Sequence, residues 1–229
     1  MSLIKKNGQK RWSPSYLRNR GHMSKGQRKT MRILWPKYGL DLQYGKPVVF
    51  PPPWDNQSKI VLEIGFGQGE NLLSRASREP ETLFLGVEVH KPGIANILKQ
   101  IQTDNIRIIR CDALALIHDH MPPRSLCEVC IFFPEPWSSH NKHRRIMNKQ
   151  TLCALEPLLK QNAHLFFATD VQEYAQEVHA LFRDALYWSS HHEQYAPRPQ
   201  WRPMSKYETK GIKEGRSIFE LHWTYTPLH

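Results

Sequence analysis

The sequence predicts an α/β protein built on a doubly wound, mostly parallel sheet that closes with an antiparallel C-terminal strand. Three observations carry this. Short, continuous apolar runs recur along the chain and alternate with segments of helical spacing, the pattern of repeated β-α units. A glycine-rich turn, GFGQG, follows the first apolar run directly. The last run, RSIFELHWTY (216–225), alternates apolar and polar residues as an antiparallel strand does.

Residues 1–50 are expected to be a basic arm and linker, and residues 51–229 the folded domain. The prolines of GKPVVFPPPWDNQSK (45–59) mark the connector between them. KIVLEI (59–64) reads as the first buried strand, and ENLLSRASRE continues from its turn with helical spacing. TLFLGVEV (82–89) and IRIIRC (106–111) read as the second and third strands, each followed by a helix, in IANILKQI and DALALIHDH. CEVCIFF (127–133) is the fourth strand, KQTLCALEPLLKQ a helix, and AHLFFATD (163–170) the fifth strand. VQEYAQEVHALFRDAL places Val171, Tyr174, Ala175, Val178, Leu181 and Phe182 on one helical face. Sheets of this kind bind ligands outside the carboxyl ends of their strands, where the unusual residues of this chain gather.

Charge is segregated. The formal net charge is +11, and eleven Lys and Arg residues precede the first acid, Asp41, leaving the rest of the chain balanced. They are Lys5, Lys6, Lys10, Arg11, Arg18, Arg20, Lys25, Arg28, Lys29, Arg32 and Lys37. Such an arm repels itself, is expected to be mobile, and attracts phosphates. Trp12, Tyr16 and Trp35 among the basic residues favour RNA, because aromatics offer bases a stacking surface. No apolar run approaches the roughly 18 to 20 residues needed to span a membrane. No apolar stretch follows the basic N-terminus as in a signal peptide. A cytoplasmic protein without a membrane role is expected. The four cysteines include one CxxC, Cys127 and Cys130, in a strand where residues three apart face opposite sides. No second pair completes a zinc site, so no metal is expected.

The cofactor expectation rests on acids. Glu63 ends the first strand, and Gly65, Gly67 and Gly69 form the turn, letting the backbone bend and a ligand approach closely. A dinucleotide turn wants G-x-G-x-x-G, whereas Glu70 follows Gly69 here and would repel a pyrophosphate. A positively charged nucleoside cofactor without phosphate, S-adenosylmethionine, suits Glu63 and Glu70 better. Glu88 at the end of the second strand suits ribose hydroxyls, and Asp112 after the third the adenine edge. Asp112 is also well placed as a helix N-cap, as is Asp170 before Val171.

FFPEPWSSHNKHRR (132–145) holds Glu135 between two prolines and then turns basic. With EIGFGQGE, FLGVEVHKPG, CDAL, ATD and RPMSKYE in this order, and SYLRNRGHMSKGQ before them, the chain resembles the bacterial tRNA (guanine-N7)-methyltransferases from about Tyr16 to Trp223. The resemblance implies a class I, Rossmann-like methyltransferase acting on a variable-loop guanine of tRNA. It places Glu63, Glu88, Asp112 and Glu135 on cofactor-binding positions, and Asp170, Ser205, Lys206 and Glu208 on substrate-binding ones. Glu135 and Asp170 are the expected catalytic-site acids, facing the cofactor or the guanine edge. Ser139, Lys142, Arg144 and Arg145 are expected near the substrate, the basic ones on phosphates with Lys149, and Arg198, Arg202, Lys206, Lys210 and Lys213 are further phosphate contacts. The chain departs from the family pattern in Glu135 for Asp, Ser138 and Ser139 where a lysine is usual, and Ser205 for Thr. A divergent paralogue that binds RNA with little activity, or methylates another RNA, is the alternative. A monomer or weak homodimer is expected.

Overall fold

The computed structural model describes residues 22–227. The expectations for Lys5 to Arg20, with Trp12 and Tyr16, fall outside them.

An eight-stranded sheet runs through the described chain. Its strands are β1 (Gly39–Leu40), β2 (Lys59–Ile64), β3 (Thr82–Val87), β4 (Ile106–Ile109), β5 (Leu126–Phe132), β6 (Leu159–Thr169), β7 (Trp188–Ser189) and β8 (Phe219–Tyr225). The spatial order is β1-β4-β3-β2-β5-β6-β8-β7. β1 to β6 pair in parallel, while β8 lies antiparallel between β6 and β7. The order reverses at β2, with β3 on one side and β5 on the other, so the crevice at its carboxyl end is the topological switch point. All six expected strands form.

The central strands are apolar on both faces because helices cover both. On β2, Ile60, Leu62 and Ile64 join one core with Leu152, Tyr174, Val178 and Phe182, beneath α4 (Ala113–Asp119), α5 (Lys149–Leu155) and α6 (Gln172–Arg183). Val61 joins the other with Phe84, Leu72, Ile94 and Ile97, beneath α2 (Glu70–Ala76) and α3 (Lys91–Leu98). The expected helix KQTLCALEPLLKQ is shorter than its pattern: after a short 3-10 turn at Glu156–Leu158, β6 already begins at Leu159.

Residues 25–50 depart from the expectation of a mobile arm. Lys25–Tyr38 is helix α1, and Gly39–Leu40 pairs with β4 at the sheet edge. Ser24 starts α1 with a capping box, its hydroxyl accepting from the Gln27 amide at 3.1 Å while its own amide donates to Gln27 Oε1 at 2.9 Å. Met31, Leu34 and Trp35 then pack against the α2/α3 core, and Lys37 pairs with Asp104 at 3.0 Å. The charge count alone hid this apolar stripe. Lys25, Arg28, Lys29 and Arg32 remain exposed on the outer face.

Between β7 and β8 the chain recrosses the sheet before entering α7 (Lys206–Lys213). Trp201 fastens this crossing, lying 5.0 Å edge-on from the Phe166 ring and under the Arg75 guanidinium at 4.2 Å. Arg75 is itself fixed by buried Glu128 and by Glu79. This path brings α7 to the carboxyl edge of the sheet. Among the described residues, no helix is long and apolar enough to cross a membrane.

Candidate active site

The glycine turn after β2 is left-handed at three positions, with φ of 70° at Gly65, 58° at Gly67 and 80° at Gly69. Gly65 N donates to Val87 O at 2.9 Å, and Gly69 N to Phe66 O at 2.8 Å. Gly69 is required twice over: beyond its φ, a Cβ there would stand 2.1 Å from Ile97 Cδ1 of α3. A Cβ on Gly65 would meet nothing within 4 Å, so that part of the turn faces open space.

The sheet register sets three acids along one edge. Ile64 pairs with Val87, and Val87 with Ile109, so Glu63, Glu88 and Asp112 follow one another across three adjacent strands. Glu63 is buried and accepts from Asn71 Nδ2 at 2.8 Å. Burial pushes its carboxyl up to about 8, against the opposing pull of Asn71 and Arg75. Asn71 Oδ1 beside it is a buried acceptor with no donor. Glu88 ties the turn to β3: Oε1 accepts from the amides of Val89 (2.6 Å) and His90 (2.9 Å), and Oε2 from Gly67 N at 3.3 Å. Asp112 caps α4 through the Leu114 amide at 2.9 Å.

Across the switch point, Phe133 and Trp137 bracket Pro134-Glu135-Pro136 with φ of 50° and 44°. Two bulky residues in the left-handed region mark stored strain, which surrounding structure must hold. Arg145 holds it. Its Nε donates to Pro136 O at 2.6 Å and Nη2 to Trp137 O at 3.3 Å, with Glu177 and Glu173 completing its partners. The side chain is 3% exposed. Arg145, expected on a phosphate, is therefore a buried brace for the loop. Lys142 is likewise engaged by Glu173 and Glu177. The reason is tertiary: α6 presents two carboxylates one turn apart to the 3-10 segment Ser139–Arg144. Arg144 lies over the Trp137 ring at 3.5 Å. Ser139 and Glu135 are exposed.

Asp170 ends β6 but does not cap α6, whose N-cap is Val171 without a side-chain bond. It pairs instead with Arg216, Nε to Oδ2 at 2.7 Å. Helix α7 lies over this edge. Ser205 begins it with a capping box to Glu208. Glu208, expected on the substrate, is 1% exposed and accepts from Arg202 Nη1 at 2.8 Å, Arg202 Nη2 at 2.9 Å and Arg198 Nε at 2.9 Å. Arg202 also reaches Glu220 of β8, and its guanidinium lies 5.2 Å from the Phe132 ring. Burial pushes both carboxyls up. Arg202 and Arg198 override it at Glu208, whose pKa falls, whereas Glu220 ends raised. Arg202 and Glu208 thus lock α7 to the sheet and do not face a phosphate or a base. Lys206 stays exposed, as do Lys210 and Lys213.

Two further side chains stand at this edge: Tyr207, within the Ser205–Glu208 segment, and Arg216, which no sequence motif marks as a site residue. Tyr207 lies 3.8 Å from where a Gly67 Cβ would be, so α7 reaches the glycine turn at one end and Asp170 at the other. The RPMSKYE motif contains Tyr207, but nothing local shows that this helix folds back over the first β-α turn.

Comparison with known proteins agrees with this architecture. Residues 57–221 match the family described as "Putative methyltransferase". The tRNA (guanine-N(7)-)-methyltransferase of Nitrosococcus oceani is 36% identical over 214 residues, covering 91% of this chain and 89% of the relative. The protein of the same name from Halorhodospira halophila is 34% identical over 225 residues, covering 96% and 97%. Among solved structures, the 16S rRNA methyltransferase KamB shares the fold with a TM-score of 0.56 at 15% identity, covering 80% of this chain and 98% of its own. The 16S rRNA (adenine(1408)-N(1))-methyltransferase from Catenulisporales acidiphilia does so with a TM-score of 0.51 at 15% identity, covering 76% and 91%. Near full-length likeness to its relatives, on a sheet of this order with a glycine turn and an acid row at its switch point, assigns the chain: it belongs to the tRNA (guanine-N(7)-)-methyltransferase family.

Proposed function

We propose that the protein transfers the methyl group of S-adenosylmethionine to N7 of a variable-loop guanine in tRNA. The observation that carries this is the likeness to tRNA (guanine-N(7)-)-methyltransferases over nine-tenths of the chain.

The residues at the switch point fit the cofactor. Glu63, which accepts from Asn71 Nδ2, and the unpartnered Asn71 Oδ1 put two buried acceptors at the switch point. The open side of the turn at Gly65 leaves room for a ligand against the backbone. Glu63, Gly65, Gly67, Gly69, Glu88 and Asp112 would hold it, with Glu135 from the facing loop. When bound, the cofactor supplies an electrophilic methyl on a sulfonium.

Guanine N7 carries a lone pair and no proton, so the chain needs no general base. Its work is to position the base and exclude water. Asp170 accepts from the guanine N1 and N2 donors. Methylation makes the ring cationic and those N–H groups stronger donors, so the Asp170 contact tightens towards the transition state. Ser205 and Lys206 at the start of α7 contact the RNA, and the exposed basic face of α1 adds phosphate contacts.

The test is transfer of labelled methyl from S-adenosylmethionine to a tRNA transcript with a variable-loop guanine, followed by nucleoside analysis for 7-methylguanosine. Binding of S-adenosylhomocysteine without any methylated tRNA would overturn the proposal. One observation keeps the divergent paralogue in view: Lys142, the first lysine after Trp137, is held by Glu173 and Glu177. A rise of about tenfold or more on combining Ser139→Lys with Glu135→Asp would favour it.

Glu63 adds a pH-dependent prediction. With its folded pKa at about 8 and a reference near 4.5, the folded ligand-free protein keeps a proton that the unfolded chain has lost between those values. Its stability contribution is therefore present at low pH and declines as pH rises towards 8. Glu63→Gln is expected to raise the ligand-free melting temperature more at about pH 8.5 than at about pH 5. It should also weaken S-adenosylhomocysteine binding by about tenfold or more, through loss of a charge-assisted contact. Melting curves and calorimetry check both; equal melting shifts at the two pH values would count against a raised Glu63.

A further inference from the structure

We propose that Arg216 is a specificity-determining residue that exchanges Asp170 for an RNA backbone phosphate, so that Asp170 becomes free for the guanine edge only when a polynucleotide is bound. The inference rests on Asp170 as the guanine contact, as proposed above.

The geometry gives Arg216 a fixed base and a movable head. Helix α7 is pinned at its start by Arg202 and Glu208. At its end, Gly215 takes a φ of 75°, and the chain doubles back so that Arg216 N donates to Gly211 O at 2.9 Å. Gly211 lies beside the ion pair: a Cβ there would stand at ordinary contact distance, 3.4 Å from Asp170 Oδ2 and 3.6 Å from Arg216 Nε and Nη2. The Arg216 side chain is 40% exposed, and its other partner is Glu214, also exposed.

The chemistry favours exchange. An ion pair partly in solvent is weak, and its partners are easily separated. A guanidinium binds a phosphate bidentately, and a polynucleotide brings several phosphates at once. While Arg216 Nε occupies Oδ2, that oxygen is engaged where the guanine N1 and N2 donors would need both carboxylate oxygens. A phosphate that draws Arg216 away removes the competitor and adds a contact in the same event. Free guanosine carries no phosphate, so it must displace Arg216 unaided.

The test uses the full chain, a tRNA transcript, and the variants Arg216→Ala and Asp170→Asn. For Arg216→Ala we expect KM for tRNA to rise about tenfold and the log–log salt dependence to become shallower by about one. The kcat at saturating tRNA should stay within about threefold of wild type, and guanosine should inhibit tRNA methylation at least about fivefold more strongly, since one weak ion pair no longer opposes it. A kcat loss beyond tenfold with unchanged KM would mean that Arg216 holds Asp170 in place, and would overturn the exchange. So would unchanged salt dependence or unchanged inhibition by guanosine. If Asp170→Asn keeps wild-type kcat, the guanine-edge assignment fails by itself, whatever Arg216→Ala does.

Discussion

Asp170→Asn is expected to lower kcat for tRNA methylation by about 10²- to 10³-fold while leaving S-adenosylhomocysteine binding unchanged. The magnitude follows from the chemistry at the guanine edge. Two hydrogen bonds to a charged acceptor contribute about 1.5–3 kcal/mol each, and they strengthen as positive charge develops on the ring. Asparagine keeps one acceptor and turns an NH2 towards a donor. Each 1.36 kcal/mol lost from transition-state stabilisation is about tenfold in rate. Folding should be nearly unaffected, because Arg216, the partner left behind, is 40% exposed. Single-turnover methylation and calorimetry measure the two quantities separately. A kcat within about threefold of wild type would remove Asp170 from the site; loss of cofactor binding would place it on the cofactor instead.

Arg202→Ala should produce the largest stability change. Arg202 is 2% exposed and is shared by Glu208, 1% exposed, and Glu220, 7% exposed. Removing the cation leaves buried Glu220 uncompensated and buried Glu208 with Arg198 alone, a cost of about 3–5 kcal/mol. At roughly 2–4 °C per kcal/mol for a domain of this size, the melting temperature falls by about 10 °C. Activity should fall with it, because the same guanidinium fixes α7 over Asp170 and the glycine turn. Arg202→Met combined with Glu208→Gln and Glu220→Gln is expected to recover much of the melting temperature, since the buried charges are gone and the α7 capping box is kept. A single Arg202→Ala variant that melts within about 2 °C of wild type would show that the cluster does not hold the helix.

These two residues also show how legible the site was. Asp170 was identifiable because it ends a strand of recognisable pattern, and strand ends in such sheets face ligands. The same rule points to Glu63, Glu88 and Asp112 as candidates. It could not show that Glu88 is already engaged by three amides, or that burial sets the Glu63 carboxyl apart, because both depend on what packs around them. The basic run after Trp137 has the composition of a phosphate contact. Glu173 and Glu177, about thirty residues on, turned Arg145 and Lys142 inward. Glu208 was placed on the substrate by motif, but its neighbours Arg198 and Arg202 made it an anchor.

By itself the sequence determined the six main strands and the five helices between them, the parallel sheet and the edge on which the acids lie. Those follow from hydrophobic periodicity and turn chemistry, which act over a few residues and are written locally. Only the tertiary structure decided which charges face a ligand. α1 packs on the sheet despite its basic composition because its apolar stripe meets a complementary core. Arg145 and Arg202 became braces because burial makes an unpaired charge costly, so each buried cation is found with carboxylates around it. Arg216 reaches Asp170 because the chain doubles back at Gly215, where φ is 75°, and sets the Arg216 amide on Gly211 O. Pairing of charges across long sequence distances is settled by desolvation in the assembled fold, and no local pattern encodes it.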